Sequence, residues 1–115
     1  MKILVCGAGS IGIRHIENLQ KIGVTVLAWR SRKGLAEKLS EQYKIKVYTC
    51  VDEAINNADG VVVATTTNTH IEIATKVIEK SKALFIEKPL SDTYKKITPF
   101  LEKIKESHIV EVGFQ

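Results

Sequence analysis

No stretch of these 115 residues approaches the roughly 20 consecutive apolar residues a membrane-spanning helix needs. The opening run Met1-Lys2-Ile3-Leu4-Val5-Cys6 leads straight into a glycine turn. It lacks a small-residue cleavage site and is too short for a secretory signal, so the expected location is cytoplasmic. Cysteine is scarce: Cys6 and Cys50 have no CxxC partner and no metal-ligand spacing. They read as two buried thiols in a reducing compartment, and no metal site is expected. There is no linker, no repeat beyond the alternation described below and no low-complexity tract. Nor does one sign of charge dominate: 17 Lys and Arg against 13 Asp and Glu give +4. Basic and acidic residues alternate, as in Glu102-Lys103-Ile104-Lys105-Glu106, which is the pattern of a solvated helix face. A nucleic-acid partner is therefore not expected.

What is present is an alternation of short apolar runs with longer amphipathic ones. The apolar runs cover 3–6, 24–29, 46–48, 60–65, 83–86 and 109–112, rich in Val and Ile and mostly without polar alternation. Strands of a parallel sheet covered on both faces read this way. Helical segments are predicted near 11–22, 35–43, 51–56, 70–80 and 92–106. Gly23 is placed to end the first helix, and Ser91 to cap the last. One α/β domain over residues 1–115 follows: a doubly wound Rossmann fold, with a six-stranded, mostly parallel sheet of order 3-2-1-4-5-6 and helices on both faces.

The strongest local motif is Gly7-Ala8-Gly9-Ser10-Ile11-Gly12, between the first strand and the first helix. In a dinucleotide fold the first glycine permits the tight turn and the second admits the pyrophosphate to the backbone. The third lets the helix pack closely. The helix N-terminus, opened by Ser10 and Ile11, offers free N–H groups and partial positive charge to phosphates. A ligand-free glycine turn and an S-adenosylmethionine site are the rival readings.

The second strand ends in Trp29-Arg30-Ser31-Arg32-Lys33. Arg30 stands 18 residues after Gly12, where a carboxylate normally holds the ribose 2′-hydroxyl of NAD. Arg30, Ser31, Arg32 and Lys33 would instead attract a 2′-phosphate, which favours NADP over NAD. A solvated basic loop is the alternative. Trp29 reads as core or pocket wall. The fourth strand ends in Ala64-Thr65-Thr66-Thr67-Asn68-Thr69-His70, placed to line the nicotinamide side of the crevice beyond the strand ends, although Asn68 or Thr69 would serve equally as helix caps. The fifth ends in Glu87-Lys88-Pro89-Leu90, where Lys88 either reaches a substrate oxygen or lies on the surface of a turn.

Together, Gly7–His15, Ala64–His70, Glu87–Leu90 and Val112–Gln115 resemble the glucose–fructose oxidoreductase/inositol dehydrogenase/MocA family across essentially the whole chain. The resemblance implies a catalytic or substrate-orienting Lys88, an anchoring Glu87 and a cis bond before Pro89. It also implies cofactor contacts from Thr65, Thr66, Thr67, His70, Glu87 and Lys88. The family usually has proline where this chain has Thr66. It also carries a second, mostly antiparallel domain that supplies substrate contacts and proton transfer, so the chain reads as the N-terminal part of a longer enzyme. The implied reaction is hydride transfer between NADP(H) and a hydroxyl or carbonyl carbon of a carbohydrate-like small molecule, with room left for a homo-oligomer. A stand-alone nucleotide-binding module is the competing function.

Overall fold

From β1 to β5 the sequence pattern is realised as strands and helices in alternation. The computed structural model describes residues 1–7, 9–65, 69–86 and 110–112. In chain order the elements are β1 (Lys2–Cys6), α1 (Ser10–Lys21), β2 (Thr25–Trp29), α2 (Lys33–Tyr43) and β3 (Lys46–Tyr48). They continue with α3 (Val51–Asn56), β4 (Gly60–Val63), α4 (His70–Glu79), β5 (Ala83–Ile86) and β6 (Val110–Val112). All five strand pairings are parallel, in the order β3-β2-β1-β4-β5-β6. The predicted helix over 92–106 and the turn at Glu87–Leu90, with its Lys88–Pro89 bond, lie outside the described residues.

Successive strand residues point to opposite faces, and the core divides on that rule. Leu4, Cys6, Leu27, Val61, Val63, Leu84 and Ile86 meet Ile55 of α3 and Ile71, Ala74, Val77 and Ile78 of α4. Val5, Val26 and Ala28 meet Ile16 of α1 and Leu39 of α2 on the other face. The sheet is thus covered on both sides, which is why its strands read as continuous apolar runs.

The first helix ends as its glycine predicts. Gly23 adopts φ +83°, its N–H bonds the Gln20 carbonyl at 3.1 Å, and Val24 N–H bonds the Leu19 carbonyl at 3.1 Å. This paired closure occupies two carbonyls that the helix end leaves open, and a left-handed glycine makes it inexpensive. Two boundaries differ from the sequence reading by more than one residue. β4 stops at Val63, because its pairing with β1 and β5 ends there, and only the Ala64 N–H continues it, to the Cys6 carbonyl at 2.8 Å. Helix α2 begins at Lys33.

The two cysteines also part company. Cys6 is fully buried under α3 and α4, and burial pushes its thiol up to about 12. Cys50 is exposed, contrary to the expectation of two buried thiols, because it precedes α3 at the rim where the chain turns.

Candidate functional site

The carboxyl ends of β1, β2 and β4 open onto one cleft of about 520 Å³. Its walls are Gly7, Gly9, Ser10, Ile11, Trp29, Arg30, Ser31, Ala64, Thr65 and Thr69. A parallel sheet whose order reverses between β1 and β4 leaves its crevice at this position.

Each glycine of the motif has a separate physical task. Gly7 has φ +98°, and a β-carbon there would sit 2.5 Å from the Ala64 carbonyl oxygen and 2.8 Å from Thr65 N. The turn therefore lies directly on the segment that follows β4. A β-carbon at Gly12 would collide with the Gly7 carbonyl, so Gly12 docks α1 onto that turn. Gly9 differs: nothing lies within 4 Å of where its β-carbon would be. It borders the cleft, so hydrogen at this position leaves room for a ligand rather than for the protein's own packing.

Gly9 precedes α1 in an extended conformation, and no side chain caps the helix. No acidic residue occupies the first turn. The leading N–H groups of a helix have no partner within it, so here they and the helix dipole are available to an anion. These features suit a pyrophosphate: a helix N-terminus clear of carboxylates, beside a glycine that leaves the approach open.

At the end of β2, Arg30 is half-buried, lines the cleft beside Ser31, and enters no ion pair among the described residues. Its N–H bonds the Tyr48 carbonyl at 3.0 Å, extending the β2–β3 ladder and fixing where the side chain starts. Trp29 is half-buried in the same wall, its indole N–H donating to the Thr49 carbonyl at 3.1 Å. This bond ties the wall to the chain beyond β3.

On the opposite side, Thr69 Oγ1 donates to Thr65 Oγ1 at 2.7 Å. Thr69 precedes α4, but its side chain makes no capping bond to the helix; it joins the cleft wall instead.

The structure brings Gly7, Gly9, Ser10, Ile11, Arg30, Ser31 and Thr65 together, as the sequence reading expects. Four other predicted residues lie off the cleft wall, contrary to the sequence reading. Gly12 is buried behind the turn and shapes the cleft without lining it. Arg32 and Lys33 are exposed and absent from the cleft wall, because the chain there is already turning into α2. His70 is only 2% exposed, with Nε2 placed 2.7 Å from the Thr65 carbonyl and not on the cleft. Thr66, Thr67, Glu87 and Lys88 lie outside the described residues. Ala64 and Thr69, which the sequence reading set along the crevice, line the cleft. Among the described residues there is no cluster fit to hold a metal and no helix long and apolar enough to cross a membrane.

Known proteins are similar to this chain in sequence and fold. The myo-inositol 2-dehydrogenase of Thermotoga maritima is 33% identical over 115 aligned residues, which cover 96% of this chain and 34% of that enzyme. The scyllo-inositol 2-dehydrogenase (NAD(+)) of Bacillus subtilis is 28% identical, over 99% of this chain and 35% of that enzyme. The crystal structure of a probable dehydrogenase from Thermotoga maritima superposes with a TM-score of 0.89 at 32% identity, over 98% of this chain and 36% of that one. The chain thus spans about a third of the length of the curated relatives it matches. Residues 1–114 match the model of the oxidoreductase family with an NAD-binding Rossmann fold, and the chain belongs to that family, the glucose–fructose oxidoreductase/inositol dehydrogenase/MocA group.

Proposed function

We propose that this chain is the cofactor-binding part of a cytoplasmic oxidoreductase that prefers NADP(H) and acts on a sugar, cyclitol or nucleotide-sugar. The observation that carries the reading is the composition of one cleft. A carboxylate-free helix N-terminus, the open space at Gly9 and the cationic Arg30 with Ser31 converge there. The α1 N-terminus and Gly9 would hold the pyrophosphate. Arg30 and Ser31 would meet a 2′-phosphate, where a carboxylate would repel it. Thr65 and Thr69 would line the nicotinamide side, with Thr66, Thr67 and Glu87 as further contacts.

A nicotinamide cofactor bound there supplies the hydride acceptor or donor. Lys88, following β5, would orient and polarise the substrate oxygen. Proton transfer and most substrate contacts would come from a second domain, so the chain by itself binds cofactor without turnover. Neither nucleic acid nor a membrane figures among the proposed partners. Subunit association would depend mainly on that second domain.

The test is a paired titration of NADPH and NADH against the wild-type chain and Arg30→Ala. Losing one charge-assisted hydrogen bond costs about 1.5–3 kcal/mol, roughly ten- to hundredfold in affinity. NADPH should weaken by that factor while NADH changes little. Equal affinities in the wild type, or an equal loss for both in the variant, would refute the NADP preference.

A further inference from the structure

We propose that His70 is a positioning residue that sets the shape of the cofactor cleft without touching it, by holding the Thr65 peptide. The proposal rests on the dinucleotide reading of the cleft. His70 is the buried polar side chain of the described core, at 2% exposure. Its Nε2 lies 2.7 Å from the Thr65 carbonyl oxygen. A carbonyl oxygen can only accept, so Nε2 carries the proton and donates. A neutral ring does this without burying a charge, which a lysine or arginine at the same place would have to do.

The ladder of the sheet does not fix Thr65. Strand β4 ends at Val63, and the last bond in that direction runs from Ala64 N–H to the Cys6 carbonyl at 2.8 Å. From one side, Gly7 presses on the Ala64–Thr65 segment, with only 2.5 Å available between its would-be β-carbon and the Ala64 oxygen. From the other, His70 holds the Thr65 carbonyl. Thr69 then ties the Thr65 hydroxyl at 2.7 Å, and both threonines face the cleft. The wall opposite Arg30 is therefore positioned by a side chain one layer behind it. Because His70 is the first residue of α4, the same bond sets the start of that helix against the strand end.

The experiment compares wild type, His70→Gln and His70→Phe by NADPH affinity and thermal midpoint, and reads the wild-type imidazole by ¹⁵N NMR. Glutamine keeps a terminal N–H donor, whereas phenylalanine keeps the ring volume and loses the donor. Phenylalanine should weaken NADPH at least tenfold, and glutamine should return it to within about threefold of wild type, even where both variants melt at similar temperatures. Wild-type affinity in the phenylalanine variant, or a glutamine variant as weak as phenylalanine, overturns the proposal. Should the phenylalanine variant fail to fold, the tautomer decides: protonation at Nε2 supports the clamp, and a neutral ring protonated only at Nδ1 overturns it. A wild-type chain that binds neither dinucleotide overturns the underlying reading of the cleft. A wild type that binds NADPH beside an unimpaired phenylalanine variant overturns the proposal alone.

Discussion

Gly7 lies so close to Ala64 that a β-carbon on the glycine would sit 2.5 Å from the alanine's carbonyl oxygen. The glycine turn after β1 and the segment after β4 are in backbone contact, and the cleft exists because they meet. Gly7→Ala should therefore act on the fold itself. It adds a clash to a residue already at φ +98°, and strained positions of this kind cost about 1–3 kcal/mol even without a clash. Chemical denaturation should show a loss of at least about 2 kcal/mol. An unchanged midpoint would mean that the turn relaxes away from Ala64.

Gly9→Ala should behave in the opposite way. Its backbone is extended, at φ −72° and ψ −172°, and the added carbon meets nothing within 4 Å. Stability should stay within about 0.5 kcal/mol of wild type. Dinucleotide affinity should fall at least tenfold, because the methyl group occupies the approach to the α1 N-terminus. A variant that binds as well as wild type would remove Gly9 from the phosphate site. The contrast with Gly7 makes the pair informative, since the two glycines stand two residues apart in one motif.

The cysteines give a chemical test of the burial pattern. Burial raises the Cys6 thiol to about 12 from an ordinary value of 9.0. The folded state thus keeps a proton that the unfolded state releases, and the associated stability is complete below pH 9. It falls as pH rises from about 9 towards 12, by up to about 1.4 kcal/mol per pH unit. Cys6→Ala should flatten that part of the stability–pH curve. Under native conditions at pH 8, Cys50 should alkylate readily while Cys6 does not. Labelling of Cys6 at the same rate would contradict its burial.

Ile16 tests the helix that carries the site. It is fully buried between α1 and the sheet, against Val5, Val26 and Ala28. Ile16→Ala should destabilise the chain by about 2–5 kcal/mol. A smaller loss would mean that α1 re-packs to fill the space.

Much of the fold was legible because its signals are local and repeated. Apolar β-runs separated by amphipathic helices specify a parallel sheet, and the glycine motif between the first strand and helix fixes where its cleft lies. The ends of elements were less legible. Residues 64 and 65 continue an apolar and β-branched run, yet pairing stops at Val63 because β1 ends opposite it at Cys6. Side-chain direction was the least legible property. A histidine opening a helix beside a cleft has the same sequence context whether it faces ligand or core, and only the packing of α4 turns His70 towards Thr65. Arg30, Arg32 and Lys33 were indistinguishable as charges, but α2 begins at Lys33 with Arg32 at its N-cap, and of the three only Arg30 lies on the cleft wall. Cys50 resembled a core thiol by residue type alone and is exposed by its place at a strand–helix turn.

The central claim, that this cleft takes a nicotinamide dinucleotide, can be read from the chain's single tryptophan. Trp29 lines the cleft with its indole pinned to Thr49, and indole emission overlaps the absorption of reduced nicotinamide. Titrating NADPH into the folded chain should quench Trp29 saturably, with matching sensitised emission from the nicotinamide, and excess NADP should reverse both. A folded chain whose Trp29 emission stays unchanged as NADPH is raised to millimolar levels would contradict the account.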